Sequence, residues 1–131
     1  MRDVIAELKA LRLHGMVARY EEIAAEGGSR LQNADWLIRT LLEAESTDRH
    51  ARSIRYQMGA ARFPVHRDLA GFDFEASKVD QALVRKLATL DFAEAAANVV
   101  LIGGTGTGKT HLATAIGVKA ITAHGLRVRF F

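Results

Sequence analysis

Cysteine is absent from the 131 residues, which removes disulfide staples, thiolate zinc sites and thiol chemistry together. Any fold must rest on packing, and any catalysis on other groups. Proline occurs once, at Pro64, where it disfavours helical geometry at Phe63. No apolar run approaches the roughly 20 residues that a transmembrane helix needs, and Met1-Arg2-Asp3-Val4 lacks the apolar core of a signal peptide. The expectation is a globular, cytoplasmic protein with no membrane partner. With 49% of its residues apolar, the chain can form one modest core or two small units.

A strong excess of either charge is lacking too. The formal net charge is +3, a weak argument for nucleic acid when taken alone. Its distribution says more. Between Arg49 and Arg67 stand Arg52, Arg55, Arg62, His50 and His66, with no acidic residue among them, whereas Glu21 to Asp48 mixes both signs. The basic block is a local feature.

Residues 3–26 place apolar side chains at Val4, Ile5, Leu8, Leu11, Met16, Val17, Tyr20 and Ile23, spacings mostly of three and four that predict an amphipathic helix or helix pair. Gly15 is the expected point of bending or splitting, and Gly27-Gly28-Ser29 the stop. Ala34, Leu37, Ile38, Leu41 and Leu42 mark a second helical stripe, capped by Asn33 or Asp35 and able to continue to Pro64. The segment FPVHRDLAGFDF has no sustained period and reads as an extended linker. Ser77 and Asp80 then resemble a capping box for a third helix striped by Val79, Leu83, Val84 and Leu87.

The period changes after that. Asn98-Val99-Val100-Leu101-Ile102 is a short β-branched run of the kind buried in a parallel sheet. A glycine-rich turn follows, then a helix over about 109–123 stopped by His124-Gly125, and a second predicted strand over 126–131. The predicted fold is an α/β P-loop domain that stops after its first β-α unit, preceded by a helical N-terminal domain. The expected division is residues 1–62 helical, 63–76 linker and 77–131 P-loop domain.

Gly103-Gly104-Thr105-Gly106-Thr107-Gly108-Lys109-Thr110 satisfies G-x-x-x-x-G-K-[ST], with a strand predicted before it and a helix after it. Phosphate needs converging N–H donors, and a backbone can wrap it closely only where side chains do not intrude, as at Gly103, Gly106 and Gly108. The helix start adds unpaired amides, Lys109 reaches the β and γ phosphates, and the Thr110 hydroxyl ligates magnesium. ATP and magnesium are therefore the expected ligands. A plain strand-to-helix turn would not require Gly, Lys and Thr at these spacings. The motif alone leaves kinases, GTPases, translocases and assembly ATPases open, although the long helical stretch upstream argues against a small nucleotide kinase.

The run NVVLIGGTGTGKTHLATAIG with AHGLRVRFF, preceded by AARFPVHRDLAGFDF and LKALRLHGMVARY, resembles the IstB-type ATP-binding proteins of bacterial insertion sequences, relatives of the DnaC helicase loaders within the AAA+ ATPases. The likeness extends over the whole chain. His111-Leu112-Ala113, the Arg-Phe-Pro and Phe-Asp-Phe linker and Val128-Arg129-Phe130-Phe131 carry more of it than the generic loop, while Thr105 departs from a proline common in similar proteins. The resemblance implies an ATP-dependent, DNA-binding helper of transposition that works as a homo-oligomer on target DNA and stimulates a cognate transposase. A helicase loader that binds its helicase through the N-terminal helices is the alternative. It also implies that the acidic residues completing the magnesium site, the sensors and the arginine finger lie beyond residue 131. The expectation is thus an N-terminal fragment or shortened reading frame that binds nucleotide without hydrolysing it usefully.

Other residues stay open. Arg49, Arg52 and Arg55 recur every three positions and can lie along a phosphate backbone, giving DNA contacts largely independent of sequence, or can form a solvated helix face. His111 belongs to the phosphate loop's surroundings in a packing or capping role. Asp73 with Phe72 and Phe74 either lines the adenine side or covers the sheet edge.

Overall fold

The computed structural model describes residues 3–131; Met1, Arg2 and the side chain of Asp35, one of the two expected caps, lie outside the described residues. Contacts divide the chain into two units, one ending at Ser53 and the other covering Ile54–Phe131.

In the first unit α1 (Val4–Ala10) starts at Asp3, whose Oδ1 accepts from the Ile5 amide at 3.0 Å. α2 spans His14–Glu26. The predicted split does occur, but at Leu11–Leu13 rather than at Gly15. Arg12 has φ 57°, and the Leu13 amide turns back to the Leu8 carbonyl. Gly27 and Gly28, with φ 70° and 89°, end α2, and a 3-10 turn covers Ser29–Gln32. α3 (Ala34–Ala61) opens with Asn33 Oδ1 accepting from the Trp36 amide at 3.0 Å. Its first twenty residues belong to this unit. Val17, Ile23 and Leu41 are buried here.

Gly15 has a different job from the one its sequence position suggests. A Cβ there would sit 2.5 Å from the Ala44 carbonyl oxygen and 2.7 Å from Asp48 Cβ, so only glycine lets α2 and α3 approach this closely. The buried Glu45 carboxylate lies at the same crossing. Its Oε2 accepts from the Gly15 and Met16 amides at 3.0 and 3.2 Å, and its Oε1 pairs with Arg49 Nε at 2.9 Å. Burial pushes the Glu45 carboxyl up, but the Arg49 guanidinium and the two amides outweigh that and hold it below the usual value.

In the second unit α3 ends at Ala61, and Arg62 takes φ 57°. α4 (Gln81–Leu87) is capped by Asp80 alone, whose Oδ1 accepts from the Ala82 and Leu83 amides; Ser77 Oγ serves a local turn at Val79. The capping box predicted at Ser77 is therefore corrected to a single Asp cap, because Asp at the N-cap reaches two orphan amides by itself. α5 covers Asp91–Glu94 and α6 covers Lys109–His124. The buried apolar residues are Ala61, Val84, Ala88, Leu90, Leu112, Ala115, Val118, Ala120 and Ile121, most of them on α6. Phe63 packs where a Gly117 Cβ would stand and meets Phe130 edge-on at 6.4 Å.

Neither predicted strand forms: the described residues contain helices and turns, with no strand. A strand exists only through a ladder to a neighbour, and the two candidate segments do not bond each other. The Leu126 amide closes the end of α6 on the Ala120 carbonyl, helped by Gly125 at φ 63°, and the Phe130 amide donates to Ala61 at 2.8 Å. Residues 98–102 keep the composition of a core strand but not its burial, with Val100 76% and Ile102 92% exposed.

Candidate functional site

The site is built in the second unit from the turn before α6 and the segment after α3. Gly106 and Gly108 adopt φ 75° and 91°, conformations that L side chains resist, so the glycines at these two motif positions are required by the backbone. Gly108 is also the N-cap of α6 and, lacking a side chain, leaves the first turn uncapped. The helical ladder begins with the Leu112 amide on the Gly108 carbonyl. The amides of Lys109, Thr110 and His111 precede it and face outward at the positive end of a 16-residue helix.

Lys109 folds back over the turn. Its Nζ donates to the Gly103 carbonyl at 2.6 Å and to the Gly104 carbonyl, while the Thr107 hydroxyl donates to Gly104 at 2.8 Å. The ammonium and the open amides therefore converge on one small region. Thr110 is exposed one residue farther on.

The segment after α3 packs on the same helix start. His111 Nε2 donates to the Asp68 carbonyl at 2.9 Å; a carbonyl only accepts, so this nitrogen carries the proton. Phe72 packs on Gly108, with Cε2 2.7 Å from where a Cβ would stand, and meets the His111 ring edge-on at 5.2 Å. These contacts pin residues 63–72 against the start of α6. The result is an open cleft of about 610 Å³ lined by Pro64, Val65 and Arg67 from the segment after α3 and by Thr105–His111 and Thr114 from the loop and α6.

Of the residues singled out by sequence, 105–111 line this cleft, and Gly103 and Gly104 hold the Lys109 ammonium. Asp73, Phe72 and Phe74 do not line it. Asp73 Oδ1 accepts from the Glu75 and Ala76 amides, and Phe74 stacks edge-on with Phe72 at 4.8 Å. Pro64, Val65, Arg67 and Thr114 were missed. Arg67 was visible as the last arginine of the acid-free block, but nothing in its spacing ties it to a loop some forty residues later.

The cleft fits a polyphosphate. Its donors are backbone amides, an ammonium and hydroxyls, and the Thr114 hydroxyl in its wall is buried without a partner among the described residues. For magnesium the fit is partial. Thr110 offers an oxygen, and the described residues hold no cluster of acidic or histidine side chains that could complete a metal site.

The proposed DNA contacts fall elsewhere. Arg49 is paired with Glu45, and Arg52 lies 3.4 Å from Glu45 and 2.8 Å from Asp48. Arg55 is exposed. No described helix is long and apolar enough to cross a membrane.

Comparison with known proteins agrees with the motif. The family model described as IstB-like ATP binding protein matches residues 6–131. A putative ATP-binding protein of insertion sequence IS21 from Pseudomonas aeruginosa is 35% identical over 99% of this chain and 49% of its own length. One from insertion sequence IS5376 of Geobacillus stearothermophilus is 36% identical over 92% of this chain and 48% of its own. A third, from an IS21-like element of Bacteroides fragilis, is 30% identical over 86% and 57%. The chain thus spans about half the length of the curated relatives it matches. With nearly all of its residues covered by the family model, the chain belongs to the IstB-like ATP-binding proteins of insertion sequences.

Proposed function

We propose that Gly103–Thr110 and His111 hold the phosphates of ATP, that Thr110 lends its hydroxyl to a magnesium ion, and that nucleotide binding serves transposition. In this reading the intact protein acts as a homo-oligomer on DNA, with little regard to sequence, and stimulates a cognate transposase. Residues 1–62 would serve DNA or partner binding, 63–76 would link, and 77–131 would belong to the ATPase domain. The observation that carries the nucleotide part is the meeting, in one cleft, of the open first-turn amides of α6, the Lys109 ammonium and the Thr110 hydroxyl. A phosphate entering there replaces the Gly103 and Gly104 carbonyls as the partner of Lys109, exchanging two neutral acceptors for an anionic one.

Titration with ATP tests this. Lys109→Ala should weaken binding roughly 10- to 100-fold with or without magnesium, because a charge-assisted contact is lost. Thr110→Ala should cost affinity only when magnesium is present, since its oxygen acts through the ion. Equal losses for the two variants in magnesium-free buffer would overturn these roles.

A further inference from the structure

We propose that Arg67 is a second cation for the nucleotide's phosphates, in the same cleft as Lys109, and that it makes the site sensitive to the number of phosphates. The inference rests on the phosphate-loop reading above and deepens it.

Three observations lead there. Arg67 lines the same cleft as the loop, and among the described residues it makes no ion pair or hydrogen bond, so its guanidinium is available. Its neighbour Asp68 turns its Oδ1 to the Gly71 amide at 2.8 Å, and among the described residues no ion pair joins Asp68 to Arg67. Its backbone is fixed on the loop side by the adjacent Asp68 carbonyl, which receives the His111 Nε2–H, and by Phe72 on Gly108. Beside its first-turn amide, His111 acts through its ring as a positioning residue: the ring N–H holds the arginine-bearing segment against the first turn of α6. This gives His111, which directly follows the motif, a physical task.

The chemistry is that of a planar guanidinium, whose parallel N–H groups match two phosphate oxygens at once, where an ammonium acts as a point charge. Lys109 reaches the phosphates from the loop. A guanidinium carried by the segment after α3 gains a partner as the chain of phosphates lengthens and its charge rises. Adenosine offers none.

The test measures dissociation constants of the unsubstituted chain, Arg67→Gln, Arg67→Lys, His111→Ala and Lys109→Ala for adenosine, AMP, ADP and ATP. Arg67 is exposed, so its replacement should leave the helical circular dichroism unchanged. Arg67→Gln should weaken ATP by roughly tenfold, ADP less and AMP or adenosine hardly at all, with Arg67→Lys recovering part of the loss. His111→Ala should show the same graded pattern at smaller amplitude, which a purely structural role would not produce. A loss equal for all four ligands would assign Arg67 to the base or ribose and overturn the proposal, as would no loss while Lys109→Ala still weakens ATP. No effect of Lys109→Ala on ATP would instead overturn the phosphate-loop reading, and this inference with it.

Discussion

Up to Ser53 the chain carries eight basic against nine acidic side chains, and from Ile54 onward ten against six. The first unit pairs most of these carboxylates with cations, Glu21 with Lys9, Glu22 with Arg19, Glu26 with Arg30, Glu45 and Asp48 with Arg49 and Arg52, while Asp3 and the second oxygen of Glu45 accept backbone amides. The second unit uses its carboxylates on the backbone. Asp68, Asp73 and Asp80 each accept amide N–H groups at turns and caps, and among the described residues no ion pair forms there. The consequence is electrostatic. One unit is nearly neutral and internally paired; the other has uncompensated positive charge, including Arg67 and Lys109 in its cleft, and so presents a field that attracts anions. The difference follows from where the acids fall: Glu21, Glu22, Glu26, Glu45 and Asp48 lie along helices that also carry cations, whereas Asp68, Asp73 and Asp80 lie in turns and at a helix cap.

The comparison can be broken first at the point where the paired unit is tightest. Gly15→Ala puts a Cβ within 2.5 Å of a backbone carbonyl, which cannot rotate away. The helices must part, at a cost of about 1–3 kcal/mol or more. Urea unfolding followed by circular dichroism should show a lower midpoint with the slope unchanged. A midpoint equal to that of the parent chain would mean that α2 and α3 do not approach as described.

A smaller effect is expected from Glu45. Its carboxyl is held below the ordinary value in the folded chain, so the stability it contributes is present above the unfolded carboxylate range and is lost as pH falls through the lower native value. Glu45 should accordingly weaken the fold as pH falls below the ordinary glutamate range, with helical content falling there. Glu45→Gln should remove that acid transition while costing about 1 kcal/mol at neutral pH, since one amide acceptor survives and the charged pair with Arg49 does not. An acid transition that persists unchanged in Glu45→Gln would assign it to other carboxylates.

Apolar spacing made the longer helices of both units legible, though not the short α5, and one motif made the site legible, two of its four glycines, Gly106 and Gly108, sitting at φ 75° and 91°. Where the sequence misled, the causes are physical. Residues 98–102 have a core-strand composition, yet composition cannot supply the neighbouring strand on which a ladder depends, and the segment remains exposed. Gly15 was read as a break because glycine weakens helices, whereas its use is a helix crossing set by Ala44 and Asp48, distant in sequence. Arg67 reached the cleft through tertiary contacts at His111 and Phe72 that no local period encodes, whereas Thr114 stands one helical turn beyond Thr110 on α6. The basic block read as one stripe proved to be two populations, arginines held by Glu45 and Asp48 and an arginine beyond them that is not.

That last distinction sharpens the comparison through DNA. If the intact protein binds duplex DNA by its phosphates, each lost contact lowers the slope of log affinity against log salt by about 0.9. Three independent arginines would therefore contribute about 2.7. Arg49 and Arg52 already face Glu45 and Asp48, and freeing them for DNA would leave a buried carboxylate without its partner, so they should add little. Arg55 makes no ion pair among the described residues and should supply most of the effect. The expected result is a slope shallower by about 0.9 both for Arg55→Ala alone and for the triple alanine variant, with helical content checked by circular dichroism. A change near 2.7 in the triple variant would show that the carboxylates release their arginines to DNA and that the first unit is not internally paired where it matters. An unchanged slope would place the DNA contacts away from this helix.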